Sequence, residues 1–430
     1  MSEATSATPL TLSDDEQAML DGAQGEALAL AMRIVTGLAR ANGAPYLIPI
    51  ASAHIDSCLY HGVAGLDFAE RLASLGGRVK VPTTLNVSSL DLLHPGLVKG
   101  DDETMVNGRR LMDAYVSLGA SPTWTCAPYQ LAEARPPFGT NVAWAESNAI
   151  VFCNSVLGAR TDRYGDFLDI CAAITGRAPY AGLHVTENRA GQIVFDLTGL
   201  PQALRDNELF PAVVGQLIGR RTGTAIPVIV GLPATTGEDA LKALGAAAAS
   251  SGGVALFHVV GITPEAATLE IALQGNPPLE VVTVTRDMIA AARAELSTVD
   301  GAALDAISVG TPHFSLAECG QLAELLADGP AIDAAVAFYA STSRRILEAA
   351  RPLGFVDVCE RAGVQFVVDT CTYITPILAP DTRVVMTNSG KWAYYAPGNL
   401  GVDVIFATLA ECVASARAGH PVLEREPWGT

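Results

Sequence analysis

From about residue 225 onward the chain alternates between two kinds of segment, and few folds accommodate that alternation. Residues 226–230, 254–260, 279–284, 306–309, 364–368 and 384–386 are short runs that are apolar nearly throughout. Between them, 238–250, 265–274 and 287–296 carry helical apolar spacing, and 406–417 closes the series with another helical pattern. A strand that is apolar on both sides must be covered on both faces, and strands separated by helices pair in parallel. The pattern predicts an α/β architecture: multi-domain, three-layer α/β/α units with mostly parallel sheets.

The N-terminal half is less regular. Ser13 with Glu16 three residues later forms a capping-box pattern, and the helical spacing it opens runs to about residue 41, with Gly43 beyond it. Residues 45–50 and 78–81 read as strands, 67–75 and 101–118 as helices. A chain of 430 residues has room for two to four domains. Breaks near 220 and 310 give an N-terminal α/β region with pocket loops over 1–220, a regular α/β domain over 221–310, and a C-terminal α/β domain over 311–430.

Charge narrows the partners. Lys and Arg number 27 against 45 Asp and Glu, a formal net charge of −18. The only lysines are Lys80, Lys99, Lys242 and Lys391. Such a chain, with no basic run, is a poor ligand for nucleic acid or for an anionic membrane. Residues 1–12 are polar and lack the basic-then-apolar order of a signal peptide. No apolar run approaches the ~20 residues that a membrane-spanning helix needs. A cytoplasmic location is expected. Eight cysteines are too sparse for a disulfide scaffold, so each is a core residue, a reactive thiol or a metal ligand.

The common motifs are absent: no phosphate-binding G-x-x-x-x-G-K-[ST] loop, no H-E-x-x-H, no G-x-S-x-G elbow. The distinctive feature is the setting of three cysteines. Cys126 lies in Trp124-Thr125-Cys126-Ala127-Pro128, just after an expected strand; Cys153 lies in Phe152-Cys153-Asn154-Ser155; Cys371 lies in Asp369-Thr370-Cys371-Thr372, just after the strand at 364–368. Open α/β sheets place ligands at strand C-termini. Three thiols on separate turns could converge on one iron–sulfur cluster, although free cysteine is also among the most buried residue types. Cys171, Cys359 and Cys412 fall within helical patterns and read as core, and Cys58 and Cys319 as structural.

Polar segments lie at other expected strand ends. Ser52 and His54 follow one strand, and Thr84 and Asn86 another. Asn154, Ser155 and Arg160 cluster around Gly158, Thr311-Pro312-His313 precedes Ser315, and Lys391 stands beside Trp392, Tyr394 and Tyr395. Each has an ordinary structural reading, such as Ser315 as a helix cap. Together they suggest a composite polar pocket, with Arg160 and Lys391 as carboxylate-binding cations.

These segments resemble the aconitase X family, a branch of the aconitase superfamily. The most specific stretches are 154–161, 178–184, Gly261-Ile262-Thr263-Pro264-Glu265, 312–315 and 387–398. The resemblance implies an aconitase-like fold and a hydro-lyase using an iron–sulfur cluster as Lewis acid. It also implies a small swivelling domain, fused in some members and a separate subunit in others. At 430 residues the chain resembles the large subunit of a two-chain enzyme, with the catalytic base on the small partner. Two activities are associated with the family: dehydration of cis-3-hydroxy-L-proline to a pyrroline-2-carboxylate, and dehydration of mevalonate 5-phosphate in archaea. The archaeal type usually carries Cys-Pro-His where this chain has Thr311-Pro312-His313. That difference makes Cys153 the replacement ligand, with Cys126 and Cys371. The forms Phe152-Cys153-Asn154 and His54-Ile55-Asp56 look more like the hydroxyproline type. Ser52, His54, Thr84, Asn86, Asn154, Ser155, Arg160 and Lys391 are then the expected substrate contacts. The competing readings are a mevalonate 5-phosphate dehydratase large subunit and a metal-free binding or structural subunit.

Overall fold

The structure, a computed structural model, describes residues 9–301 and 303–424. Most of the polar N-terminal stretch considered for targeting, residues 1–8, lies outside them. Among the described residues the secondary structure is mixed α/β, with parallel pairing in three of the four sheets.

The first region holds a two-stranded antiparallel ladder, Leu47–Pro49 with Arg177–Pro179. It also holds a three-stranded parallel sheet in the order Thr83–Leu85, Ala53–Ile55, Ala143–Trp144. The capping box at Ser13 forms as expected. The helix it starts ends at Leu20, and a second runs from Glu26 to Ala41. Gly22 and Gly25, both at positive φ, make the break that apolar spacing alone did not reveal. Residues 78–81 are not a strand. Val79 and Lys80 donate to the carbonyls of Leu118 and Ala173 at helix ends, and pairing starts only after Pro82.

A four-stranded parallel sheet comes next, ordered His258–Val259, Pro227–Val230, Ile193–Asp196, Glu280–Thr283. Ile193–Asp196, which precedes the break expected near 220, is thus paired on both sides by later strands. The helical pattern at 265–274 shortens to Leu269–Ala272, capped by Thr268. Beneath this sheet the helices Phe210–Thr222 and Glu238–Ser251 cross closely. A Cβ on Gly215 would stand 2.2 Å from the Leu244 carbonyl oxygen. Gly215→Ala is therefore expected to lower stability by about 1–3 kcal/mol through overpacking, read as a lower denaturant midpoint.

The last sheet is five-stranded and parallel: Val364–Val367, Ala337–Thr342, Ala306–Phe314, Val384–Thr387, Asp403–Phe406. Its strands bury alternate side chains in two different cores. Ile307, Phe338, Phe366 and Met386 face one, with the helices Leu316–Ala327, Phe355–Ala362 and Leu409–Ala418. Ala306, Tyr339, Val367 and Val385 face the other, with Trp392 and the two crossing helices. This is the three-layer unit that the apolar strands required. The strand order reverses between Ala306–Phe314 and Val384–Thr387, and the crevice beyond such a reversal is where doubly wound sheets bind ligands.

Candidate active site

At that reversal the central strand is deformed. Its register with Ala337–Thr342 shifts between Val309 and Phe314. Gly310 makes the bulge possible: it sits at φ +85°, and a Cβ there would be 2.1 Å from the Ser341 carbonyl oxygen. The bulge turns His313 toward two loops, each bringing a cysteine. Two residues before each cysteine stands a non-glycine residue at positive φ, Trp124 at 44° and Asp369 at 64°. Such backbone costs about 1–3 kcal/mol apiece and persists only where surroundings over-determine it. For Asp369 the surroundings are visible: its buried carboxylate pairs with Arg344 and accepts from the Leu92 N–H at 3.1 Å. Its carbonyl accepts from Ser88 N at 2.7 Å.

The result is a buried group of Cys126, His313 and Cys371, whose Sγ and ring nitrogen atoms lie within 4.8 Å of one another. The His313 backbone N–H donates to Cys126 Sγ at 3.3 Å. His313 Nε2 faces the Thr370 carbonyl at 3.1 Å, so it carries the proton, and Nδ1 accepts from the Thr125 hydroxyl at 3.0 Å. Burial, aided by Lys242 and Lys391, holds the imidazole pKa near about 4, so the ring is neutral. Burial disfavours a thiolate at Cys126. The hydrogen bond from Cys371, the nearby Lys391 and the His313 N–H outweigh it and lower its pKa. That shared hydrogen bond and burial push Cys371 the other way.

Beside this group Lys391 and Glu146 form a buried ion pair, reinforced by Ser147 Oγ at 3.3 Å. Burial opposes the charge on both. Mutual attraction nevertheless raises the lysine pKa well above its usual value and lowers that of the glutamate. The other oxygen of Glu146 caps the helix Ser147–Phe152 through Ala149 N at 2.6 Å. Cys126, Glu146 and Lys391 line one cavity of about 600 Å³ together with Asp56, Asn86 and Tyr373. A second cavity, about 470 Å³, reaches Lys391 from elsewhere but includes neither cysteine.

Of the residues expected from sequence, Asn86, Lys391 and Cys126 line the cavity, and Cys371 joins the buried group. His54 and Thr84 lie on adjacent strands behind it, His54 Nδ1 and Thr84 Oγ1 being 2.8 Å apart. Ser52 contributes its carbonyl to Ala143 N. Asn154 bonds Thr161 and Ala255 and accepts from the buried Arg189 at 3.0 Å, while Arg189 pairs with Glu265 at 2.8 Å. Ser155 accepts from Phe257 N, and Arg160 holds the His184 carbonyl and the Thr186 hydroxyl. These three therefore join segments around Arg189 and do not line the cavity. Cys153 also lies outside the thiol–imidazole–thiol group. It is on a π-helical turn, not an open loop, packed with Tyr129, Phe152 and Leu157, and burial raises its pKa. Ser315 is the helix cap its ordinary reading assigns. Asp56 and His313 entered the sequence reading only within the segments His54-Ile55-Asp56 and Thr311-Pro312-His313, not as named site residues, and Glu146 did not enter it; the rare lysine pointed only to one end of the ion pair.

Fold and site together define an α/β protein with a buried group able to hold a metal at a sheet switch point. The aconitase X family models match along the chain: the first domain at residues 9–187, the second at 191–294 and the third at 304–418. The chain belongs to the aconitase X family. It is 42% identical to a cis-3-hydroxy-L-proline dehydratase of Pseudomonas aeruginosa, over 99% of this chain and 73% of that protein. It is 41% identical to the Hypocrea jecorina protein of the same name, over 97% of this chain and 70% of that one. A phosphomevalonate dehydratase large subunit of Methanocaldococcus jannaschii is 35% identical over 93% of this chain and 98% of that one. The crystal structure of Thermococcus kodakaraensis aconitase X in its holo form superposes with a TM-score of 0.85 at 34% identity, covering 94% of this chain and 100% of that chain.

Proposed function

We propose that the protein is a hydro-lyase that dehydrates cis-3-hydroxy-L-proline to pyrroline-2-carboxylate. The observation that carries this reading is the 41–42% identity to proteins of that activity across nearly the whole chain, against 35% to the phosphomevalonate enzyme. The reaction removes a proton from C2 and hydroxide from C3. The C2–C3 double bond that forms belongs to an enamine, which tautomerises to the imine.

The donor set suits a soft metal: two buried thiols, the pKa of one lowered, and a neutral imidazole whose Nδ1 would exchange the Thr125 hydroxyl for the metal while Nε2–H stays on the Thr370 carbonyl. Cys126, Cys371 and His313 would hold the iron–sulfur centre expected of the family, with His313 in the place first given to Cys153. Such a centre would supply Lewis acidity toward the departing hydroxyl. Lys391 binds the substrate carboxylate and stabilises charge developing at C2. Glu146 keeps that lysine protonated. A cytoplasmic setting goes with this site, because all eight cysteines are free and the thiol pair needs reducing surroundings.

The base that takes the C2 proton is assigned to a small swivelling-domain subunit. The "large subunit" relatives support a partner of this kind. Mixed anaerobically with such a subunit, the chain is expected to convert cis-3-hydroxy-L-proline to pyrroline-2-carboxylate and to leave it nearly unchanged without the subunit. Equal turnover by the chain alone would contradict the placement of the base. No product in either mixture would contradict the dehydratase reading.

A further inference from the structure

Asp56 and Asn86 both line the cavity, and the mechanism above has no use for either. Asp56 follows the strand Ala53–Ile55, and Asn86 follows its neighbour Thr83–Leu85, so parallel pairing brings the two together. The Asn86 amide nitrogen donates to Asp56 Oδ1. The Asp56 main chain is fixed from behind by buried Asp169, whose Oδ2 accepts from Asp56 N at 2.8 Å and Ser57 N at 3.0 Å. Asn86 is 2% exposed, and among the described residues its Oδ1 has no hydrogen-bond partner. A buried amide oxygen in that state lacks a donor.

The charge of the cavity indicates which donor. Lys391 and Glu146 neutralise one another. Asp56 has Asn86 as its side-chain partner and, among the described residues, no cation at ion-pair distance. One carboxylate is left over in a cavity about 600 Å³ in volume, next to an acceptor waiting for a hydrogen. An anionic phosphate suits neither, whereas an N–H-bearing cation suits both.

We propose that Asp56 and Asn86 Oδ1 form a receptor for the secondary ammonium of an amino-acid substrate, with Lys391 taking the carboxylate at the other end. This rests on the hydroxyproline reading and deepens it, because it makes the site selective for a zwitterion over a phosphorylated hydroxy acid. The groups facing Asp56 are Glu146 at the start of its helix, Asp166 and Asp169 at the helix Leu168–Thr175, and Asn86, while Lys391 and His61 complete the titratable set of cationic type in the cavity. Burial, then Glu146, Asp166 and Asp169, raise Asp56 to about 7 against the Asn86 hydrogen bond. An ammonium binds the ionised form, so its binding expels the proton. Affinity should therefore strengthen as pH rises toward 7, by up to about tenfold per unit, and level off above it.

The test is calorimetric titration of the purified protein with L-proline and with tetrahydrofuran-2-carboxylate, which has an ether oxygen in place of the ammonium. Steady-state kinetics of Asp56→Asn with the small subunit present accompanies it. L-Proline is expected to bind at least about tenfold tighter than the ether, with the pH dependence above. Asp56→Asn should erase that preference and raise KM by at least about tenfold with kcat changed less. Equal binding of the two probes by the unmodified protein would overturn the receptor, and so would a loss confined to kcat, which would make Asp56 a proton carrier. Selective L-proline binding without turnover of cis-3-hydroxy-L-proline would uphold the receptor and refute the dehydratase reading. Turnover without selective binding would do the reverse.

Discussion

Cys126→Ser is expected to abolish metal binding and to lower turnover by about 10³-fold or more, the scale of a Lewis acid worth several kcal/mol in the transition state. Cys371→Ser should do the same. The two thiols are joined by a hydrogen bond that lowers the pKa of Cys126 and raises that of Cys371, and both belong to the one buried group. The substitution is nearly isosteric, so stability should change little and the loss should be one of metal. Cys153→Ser is the internal comparison. Its side chain packs on a π-helical turn outside the group, and it should leave the iron content as it is. Iron and acid-labile sulfide measured on anaerobically purified variants check all three. Iron lost from Cys153→Ser and kept in Cys126→Ser would reverse the ligand assignment.

Lys391→Met is expected to damage both folding and activity. It strands Glu146 as a buried carboxylate, 6% exposed, without its cation. Removing one partner of such a pair costs about 3–5 kcal/mol. The double variant Lys391→Met with Glu146→Gln removes both charges and keeps an oxygen to cap Ala149 N. It should regain most of the lost stability and none of the turnover, because the cation for the substrate carboxylate is still gone. Chemical denaturation and kinetics on the two variants separate these effects. A double variant that recovers activity along with stability would show that Lys391 serves only the fold.

Much of the architecture was legible because its cause is local. Strands such as 384–386 are apolar on both sides since both faces are covered, and Ser13 and Ser315 announce helices through their own cap geometry. The strands Ala337–Thr342 and Asp403–Phe406 were passed over. The first carries polar Ser and Thr at its C-terminal end, and the second begins with an exposed Asp and runs almost directly into the closing helix. The site was legible only in part, because its partnerships are long-range. Lys391 stood out as a rare lysine, but Glu146 lies 245 residues away and nothing near it in sequence marks it. The turns at Cys126 and Cys371 bring those two thiols together, whereas Cys153, read from sequence alongside them, sits on a π-helical turn outside the group, and such a turn and an open loop look alike when only the residue order is read. Asn154 and Arg160 instead hold segments together: Asn154 accepts from the buried Arg189, and Arg160 binds the His184 carbonyl and the Thr186 hydroxyl.

The most direct measurement is kcat/KM for cis-3-hydroxy-L-proline and for mevalonate 5-phosphate, on one anaerobic preparation of the chain mixed with the proposed small subunit. A zwitterion receptor with a surplus carboxylate predicts a ratio of at least about 10³ in favour of the hydroxyproline, since an unpaired phosphate beside Asp56 and Glu146 costs several kcal/mol. Comparable values, or a preference for mevalonate 5-phosphate, would contradict it.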